Sequence, residues 1–185
     1  IKEKLLGPDN PGVALSLSNL AGLLKAQGKL EAAEQLYRRA LEIKQTYFGP
    51  DHPDVATSLG NFAGLLQAQG KFDAAEPLYR RALEIKEKLL RPNHASVATS
   101  LGNLARLLKA QNKLDAAEPL FFRALKIKEK ELGPDHPGIS ALLGNLAGML
   151  KAQDKFDAAE PLYLSAASQS RRSSSGGTTR TSRCR

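Results

Sequence analysis

The chain has 185 residues, 42% of them hydrophobic and 25% charged, the balance of a folded domain with a buried interior. Aromatic residues make up 5% and Trp is absent, so the interior has to be built from Leu and Ala, which favours close-packed helices over a sheet sandwich. A single cysteine, Cys184, excludes an intrachain disulfide and fits a reducing, cytoplasmic setting. No apolar run approaches the roughly 20 residues that span a bilayer, and the opening IKEKLL interleaves charge where a signal peptide would be apolar. The net charge of +8 is lopsided: residues 165–185 hold five Arg and no acid. The basic character therefore belongs mainly to the end of the chain and does not make the folded part a nucleic-acid surface.

Taken in chain order, residues 1–6 (IKEKLL) match residues 85–90 letter for letter and read as the end of a preceding repeat's helix. With no initial Met, the chain reads as a fragment or a processed product. A 42-residue frame then recurs, as residues 7–48, 49–90, 91–132 and a degenerate 133–168. Between the second and third copies 29 of 42 positions are identical. Such a period means stacked supersecondary units rather than one irregular core.

Each copy contains two helices. The first follows a GPDHP-type turn, and Pro11, Pro53 and Pro137 suit a first helical turn, where the missing N–H has no partner to lose. Val55, Leu59, Phe62, Ala63 and Leu66 recur at three- and four-residue spacing, one helical face. Gly28 and Gly70 suit a left-handed helix end; Asn112 can take it, and Asp154 takes it less readily. The second helix carries its own stripe, Ala33, Leu36, Tyr37, Ala40, Leu41 and Ile43. Pro77, Pro119 and Pro161 should loosen or bend it. In the fourth copy the stripe decays, with Ala167 for Leu41 and Gln169 for Ile43. The last helix is expected to fray from Ala167, with Gln169 on a polar outer face and residues 169–185 as a disordered basic tail.

Ala21, Gly28, Ala33, Tyr37 and Ala40 form a small-turn-aromatic-small pattern that resembles the tetratricopeptide repeat. The longer period, with LxNLAxLLxAQGKxxAAExLYxRALxIKE followed by LGPDHP, resembles the kinesin light chain type of that repeat. The resemblance covers residues 1–164 and implies an all-α fold, an α-solenoid of four stacked helical hairpins, with a concave groove that binds a peptide or a partner helix. The heptad coiled coil by which kinesin light chains join their heavy chains is not among these residues.

By the same resemblance, the face of each first helix opposite its packing stripe lines the groove. It carries Leu15, Ser18, Gly22 and Lys25 in the first copy and Thr57, Gly60, Gly64 and Gln67 in the second. In the third it carries Thr99, Gly102, Arg106 and Lys109, and in the fourth Ala141, Gly144, Gly148 and Lys151. The glycines read two ways: as variation at an exposed position, or as a shallow trough that admits a ligand backbone. Lys25, Arg106, Lys109 and Lys151 would give the trough a basic wall suited to an acidic segment. Kinesin-light-chain-type repeats commonly read LNNLA here; Ser18, Gly60, Gly102 and Gly144 replace the first Asn. The second Asn recurs as Asn19, Asn61, Asn103 and Asn145, placed to bond either a ligand backbone or a neighbouring repeat.

His52, His94 and His136 also recur, but successive turns stand a helix-packing distance apart, roughly 8–10 Å, too far to share one metal ion at about 2 Å. They read as turn residues. Glu34 and Glu76 precede Arg38 and Arg80 by four residues, the order of a helix-surface pair. Phe122 and Leu164 stand where Arg80 does, as an apolar spot open to a partner or covered by the tail. There is no glycine-rich phosphate loop, paired cysteine or HExxH. The expectation is a non-enzymatic scaffold or adaptor without cofactor or metal, whose partners are other proteins or flanking repeats of the same longer chain rather than a small-molecule substrate. Two alternatives stand beside it: a kinesin-light-chain-like cargo adaptor, and nucleic-acid binding through the Arg-rich tail.

Overall fold

A computed structural model describes residues 7, 9–133, 136 and 139–175, with side chains described to residue 169. Among these residues eight helices follow one another: α1 (Pro11–Ala26), α2 (Leu30–Phe48), α3 (Pro53–Ala68), α4 (Phe72–Leu89), α5 (Ala95–Ala110), α6 (Leu114–Leu132), α7 (Ser140–Ala152) and α8 (Phe156–Ser175). They pair in sequence as antiparallel hairpins, α1/α2, α3/α4, α5/α6 and α7/α8. The fold is all-α, of the stacked-hairpin kind. The chain divides into two compact units, residues 1–92 and 93–185. In the first, α2 packs on α3; in the second, α6 packs on α7. No described helix is long and apolar enough to cross a membrane.

Helix starts and stops follow local chemistry. Pro11 and Pro53 open α1 and α3; Pro137 lies outside the described residues. Asn10 caps α1 by accepting the Gly12 N–H at 2.8 Å. The imidazoles of His52 and His94 do the same for α3 and α5, each Nδ1 accepting a backbone N–H at 3.1 Å from Asp54 and Ser96. The turn role of these two histidines is thus an N-cap role. At the hairpin bends Gly28, Gly70, Asn112 and Asp154 all sit at positive φ, between 58° and 76°. There the N–H groups of Lys29, Lys71, Lys113 and Lys155 return to carbonyls five residues back, which satisfies otherwise orphaned acceptors. Helices α4, α6 and α8 run unbroken through Pro77, Pro119 and Pro161.

The interior is the expected mixture of alanine and branched side chains. Val55, Leu59, Phe62, Ala63 and Leu66 are buried, as are Ala33, Tyr37, Ala40, Leu41 and Ile43; Leu36 is half-buried. The fully buried alanines at 14, 21, 33 and 40 let α1 and α2 approach closely. Each Leu or Ile put away from water stabilises the fold by about 1.5–3 kcal/mol.

The last helix differs from the sequence expectation. It does not fray at Ala167 but continues to Ser175. Gln169 is not on an outer face: it is 1% exposed and accepts a hydrogen bond from the Ser140 hydroxyl at 3.0 Å. The reason is a matched exchange. Gln169 stands where Ile43 does, and Ser140 where Ala14 does. An apolar contact has been replaced by a hydrogen-bonded one. The rest of the expected tail, residues 176–185, lies outside the described residues.

Candidate functional site

On the outward face of the first helices, several predicted contact residues are already engaged within their own unit. The Ser18 hydroxyl bonds back to the Ala14 carbonyl at 2.9 Å. The Lys25 ammonium donates to the Gly64 carbonyl at 2.7 Å, and Lys109 to the Asn145 carbonyl at 3.3 Å. Both lysines therefore tie one first helix to the next, α1 to α3 and α5 to α7, and do not stand as a free basic wall. Gln67 accepts from the Tyr79 hydroxyl at 3.1 Å. Asn19 and Asn61 are exposed. Asn103 accepts from the Arg106 guanidinium at 2.8 Å, and Lys151 is exposed.

The glycines have an internal explanation that neither sequence reading included. A Cβ on Gly22 would lie 3.5 Å from the Tyr37 hydroxyl, and one on Gly64 would lie 3.2 Å from the Tyr79 hydroxyl and 3.4 Å from the Lys25 ammonium. On Gly148 it would lie 2.9 Å from the Lys109 ammonium and 3.4 Å from the Tyr163 hydroxyl. Glycine thus makes room for a tyrosine hydroxyl of the same hairpin. The third copy shows the rule by breaking it at both positions: Arg106 replaces the glycine and Phe121, without a hydroxyl, replaces the tyrosine. That pairing is visible in the aligned repeats. Gly60 and Gly144 face open space, whereas Gly102 is covered by the Leu142 side chain, 3.0 Å from where its Cβ would be.

One place on this face is shaped to receive something. In the second unit an open depression of about 260 Å³ is lined by Thr99, Gly102, Asn103, Arg106, Asn145 and Lys128, among others. It gathers the predicted Asn103, Arg106 and Asn145 around an apolar floor that includes Leu142. Lys128, on α6, was not anticipated. It belongs to a column with Lys44 and Lys86 at 42-residue spacing. Lys44 is 8% exposed, and burial pushes the Lys86 ammonium below its usual range. The Ile-Lys pair repeated in α2, α4 and α6 was the available signal.

The joints between hairpins rest on a second recurrent set. Glu34 on α2 receives the Gln69 amide at 3.0 Å and the Lys71 ammonium at 2.8 Å, both from the end of the next hairpin's bend. Lys71 foremost, then Gln69, hold the Glu34 carboxyl below the ordinary carboxylate range. In the second unit Lys155 reaches Glu118 at 2.9 Å and Gln153 reaches Asp115 at 3.2 Å, and the Glu118 carboxyl is likewise lowered, chiefly by Lys155. The surface pairs anticipated from sequence are present at 2.8 Å for Glu34–Arg38 and 2.7 Å for Glu76–Arg80. Phe122 and Leu164 are exposed. Among the described residues no three potential metal ligands come together.

The tetratricopeptide repeat family model matches residues 1–46, 12–88, 59–130 and 96–172. No curated protein matches the sequence. Among solved structures, BtubC (BKLC) from P. vanneervenii is 28% identical, with a TM-score of 0.79, over 95% of this chain and 70% of that one. A Podosopora anserina protein of nearly identical TPR-like repeats, named for the kinesin light chain, is 26% identical with a TM-score of 0.75, over 97% and 83%. The apo form of RapI, at 17% identity and a TM-score of 0.77 over 89% and 58%, shares the fold alone.

Proposed function

The chain belongs to the tetratricopeptide repeat family, whose fold is that of a protein-interaction scaffold, and on that premise we propose that it holds an acidic peptide segment in the depression of its second unit. The observation that supports this reading is the convergence of Arg106, Lys128, Asn103 and Asn145 on one open concavity with an apolar floor. Two cations answer carboxylates; two amides can pair with an extended backbone; Leu142, packed over Gly102, offers an apolar contact. A few convergent polar groups on an apolar floor are what a recognition pocket needs. Lys25 and Lys109 contribute by fixing neighbouring first helices rather than by touching the ligand.

The test is affinity capture of protein partners with the wild-type chain and with an Arg106→Glu/Lys128→Glu variant. Loss of acidic partners from the variant, with unchanged helicity, is expected. An unchanged partner set would overturn the reading.

A second reading is a cargo-adaptor role in a microtubule motor. It is supported by the likeness to the repeats named for the kinesin light chain. Co-purification with a kinesin heavy chain would favour it, and repeated failure with the full-length protein would remove it.

A further inference from the structure

The depression in the second unit holds charge that its own lining does not neutralise. Among the described residues it is lined by two cations, Arg106 on α5 and Lys128 on α6, and by no carboxylate. Arginines elsewhere in the chain are matched with acids. Arg38 pairs with Glu34 at 2.8 Å, Arg39 with Asp9 at 2.9 Å, Arg80 with Glu76 at 2.7 Å and Arg81 with Glu84 at 2.8 Å. Arg106 is held differently. One of its terminal nitrogens donates to the neutral side-chain oxygen of Asn103 at 2.8 Å, which orients the guanidinium and leaves its charge intact. The other guanidinium N–H groups, the Lys128 ammonium and the Asn145 side-chain amide make no bond among the described residues. The arginine is also peculiar to this copy, since Gly22, Gly64 and Gly148 stand at its position in the other three.

We propose that this depression takes the phosphate of a phosphoserine or phosphothreonine in the bound segment, a deepening that rests on the acidic-segment reading above. The argument is charge matching within one concavity. A carboxylate brings a single negative charge and leaves one of the two cations unanswered. A phosphomonoester brings about −1.5 to −2 near neutral pH and three strong acceptor oxygens. The Arg106 fork can give two N–H groups to two of those oxygens, and Lys128 can answer the third as a point charge. Asn103 is then a positioning residue, because its oxygen fixes the guanidinium plane. The Asn145 amide and Leu142, packed over Gly102, meet the rest of the segment and make a phosphorylated peptide a better ligand than phosphate alone.

The probes are three fluorescent peptides that share one alanine-glycine carrier and differ at a single residue: phosphoserine, glutamate or serine. Each is titrated into the intact chain and followed by anisotropy. At about pH 7.5 the phosphoserine peptide should bind about tenfold tighter than the glutamate peptide, and the serine peptide should not bind measurably. Lowering the pH to about 5.5 crosses the second ionisation of the phosphate, near 6. The phosphoserine peptide should then weaken several-fold, while the glutamate peptide, whose carboxyl ionises at about 4.3, holds. Arg106→Lys should cost about tenfold because an ammonium cannot reproduce the fork, and Lys128→Arg should keep the affinity. Both exchanges preserve charge, so circular dichroism should match wild type. Equal affinity for the phosphoserine and glutamate peptides would overturn the phosphate assignment and leave the acidic-segment reading standing. Binding of neither would remove both. An Arg106→Lys chain with unchanged affinity would overturn the proposal, as would inorganic phosphate competing as strongly as the phosphoserine peptide.

Discussion

The first and fourth hairpins solve the same packing problem with different chemistry. In α1/α2, Val13, Ala14, Ala40 and Ile43 form an apolar cluster. In α7/α8, the positions of Ala14 and Ile43 are taken by Ser140 and Gln169, which bond to each other at 3.0 Å. Both are stable arrangements because a buried polar group costs little when its partner comes with it and much when it does not. The unit of substitution is the pair. A reading that takes residues one at a time sees Gln169 as decay of the stripe.

The comparison is broken most sharply by moving half of the fourth hairpin into the first. Ile43→Gln buries an amide among alanines and Val13, and should cost roughly 3 kcal/mol, from lost apolar burial and an unpaired polar group. Adding Ala14→Ser should return about 1 kcal/mol by supplying the missing hydroxyl. Urea denaturation followed by circular dichroism reads both, and a double variant no better than the single would show that the two positions do not act together. The reverse exchange, Ser140→Ala with Gln169→Ile, should be neutral or stabilising by up to about 1 kcal/mol, since removing both members of a bonded pair leaves no orphan. Either single change should be worse than the double.

A second contrast lies at the joints. Lys155 of the fourth hairpin is clamped to Glu118, whereas the side chain of Lys29 of the first is exposed and makes no bond among the described residues. Lys155→Ala should therefore destabilise, by about 0.5–1 kcal/mol because the pair is partly in water, and Lys29→Ala should change stability by less. The Glu118 contribution also has a pH signature. Its folded-state pKa is lowered, chiefly by the Lys155 bond, so the stabilisation is complete above the unfolded value near 4.5 and is lost as pH falls through the folded value. Wild type and Glu118→Gln should differ most at neutral pH and converge in acid. A constant difference across that range would assign the effect to packing instead.

What could be read from sequence followed from period and polarity. The 42-residue frame, the two helices per copy, the stripes through Val55 to Leu66 and Ala33 to Ile43, and the left-handed bends at Gly28 and Gly70 are all local or periodic properties. They are encoded within one copy and repeated. The same logic puts Asn103, Arg106 and Asn145 on first helices, and the structure gathers these three around one depression. Lys128 was missed because it comes from a second helix, and nothing in a single helix's pattern says which side chains of its neighbour reach the same hollow. Lys25 and Lys109 were read as ligand contacts because exposure of a cation on a helical wheel cannot reveal a carbonyl on the next hairpin. The pattern alone leaves the glycines open between variation at an exposed position and a trough for a ligand; the closeness of Gly22, Gly64 and Gly148 to tyrosine hydroxyls adds a third reading. The aligned repeats carry that signal: the copy with Arg106 in place of the glycine is also the copy with Phe121 in place of the tyrosine.

The gentlest test of the comparison concerns the bends themselves. Gly28 and Asp154 occupy equivalent positions with φ of 75° and 58°, and both bends close the same return bonds, from Lys29 to Leu24 and from Lys155 to Leu150 at 2.9 Å. The backbone geometry is therefore shared, and the difference between the two hairpins is the steric load of a Cβ in a left-handed conformation. Asp bears that load better than most residues but not without cost, and glycine removes it while adding freedom to the unfolded chain. The two effects oppose, so Asp154→Gly should stabilise by only about 0.5 kcal/mol. The reciprocal Gly28→Asp should lose a similar amount, and Gly28→Val should lose more than either because a branched Cβ clashes hardest where φ is positive. If Gly28→Val were silent, the bend would have to be held by the stacked helices around it rather than by its own residue.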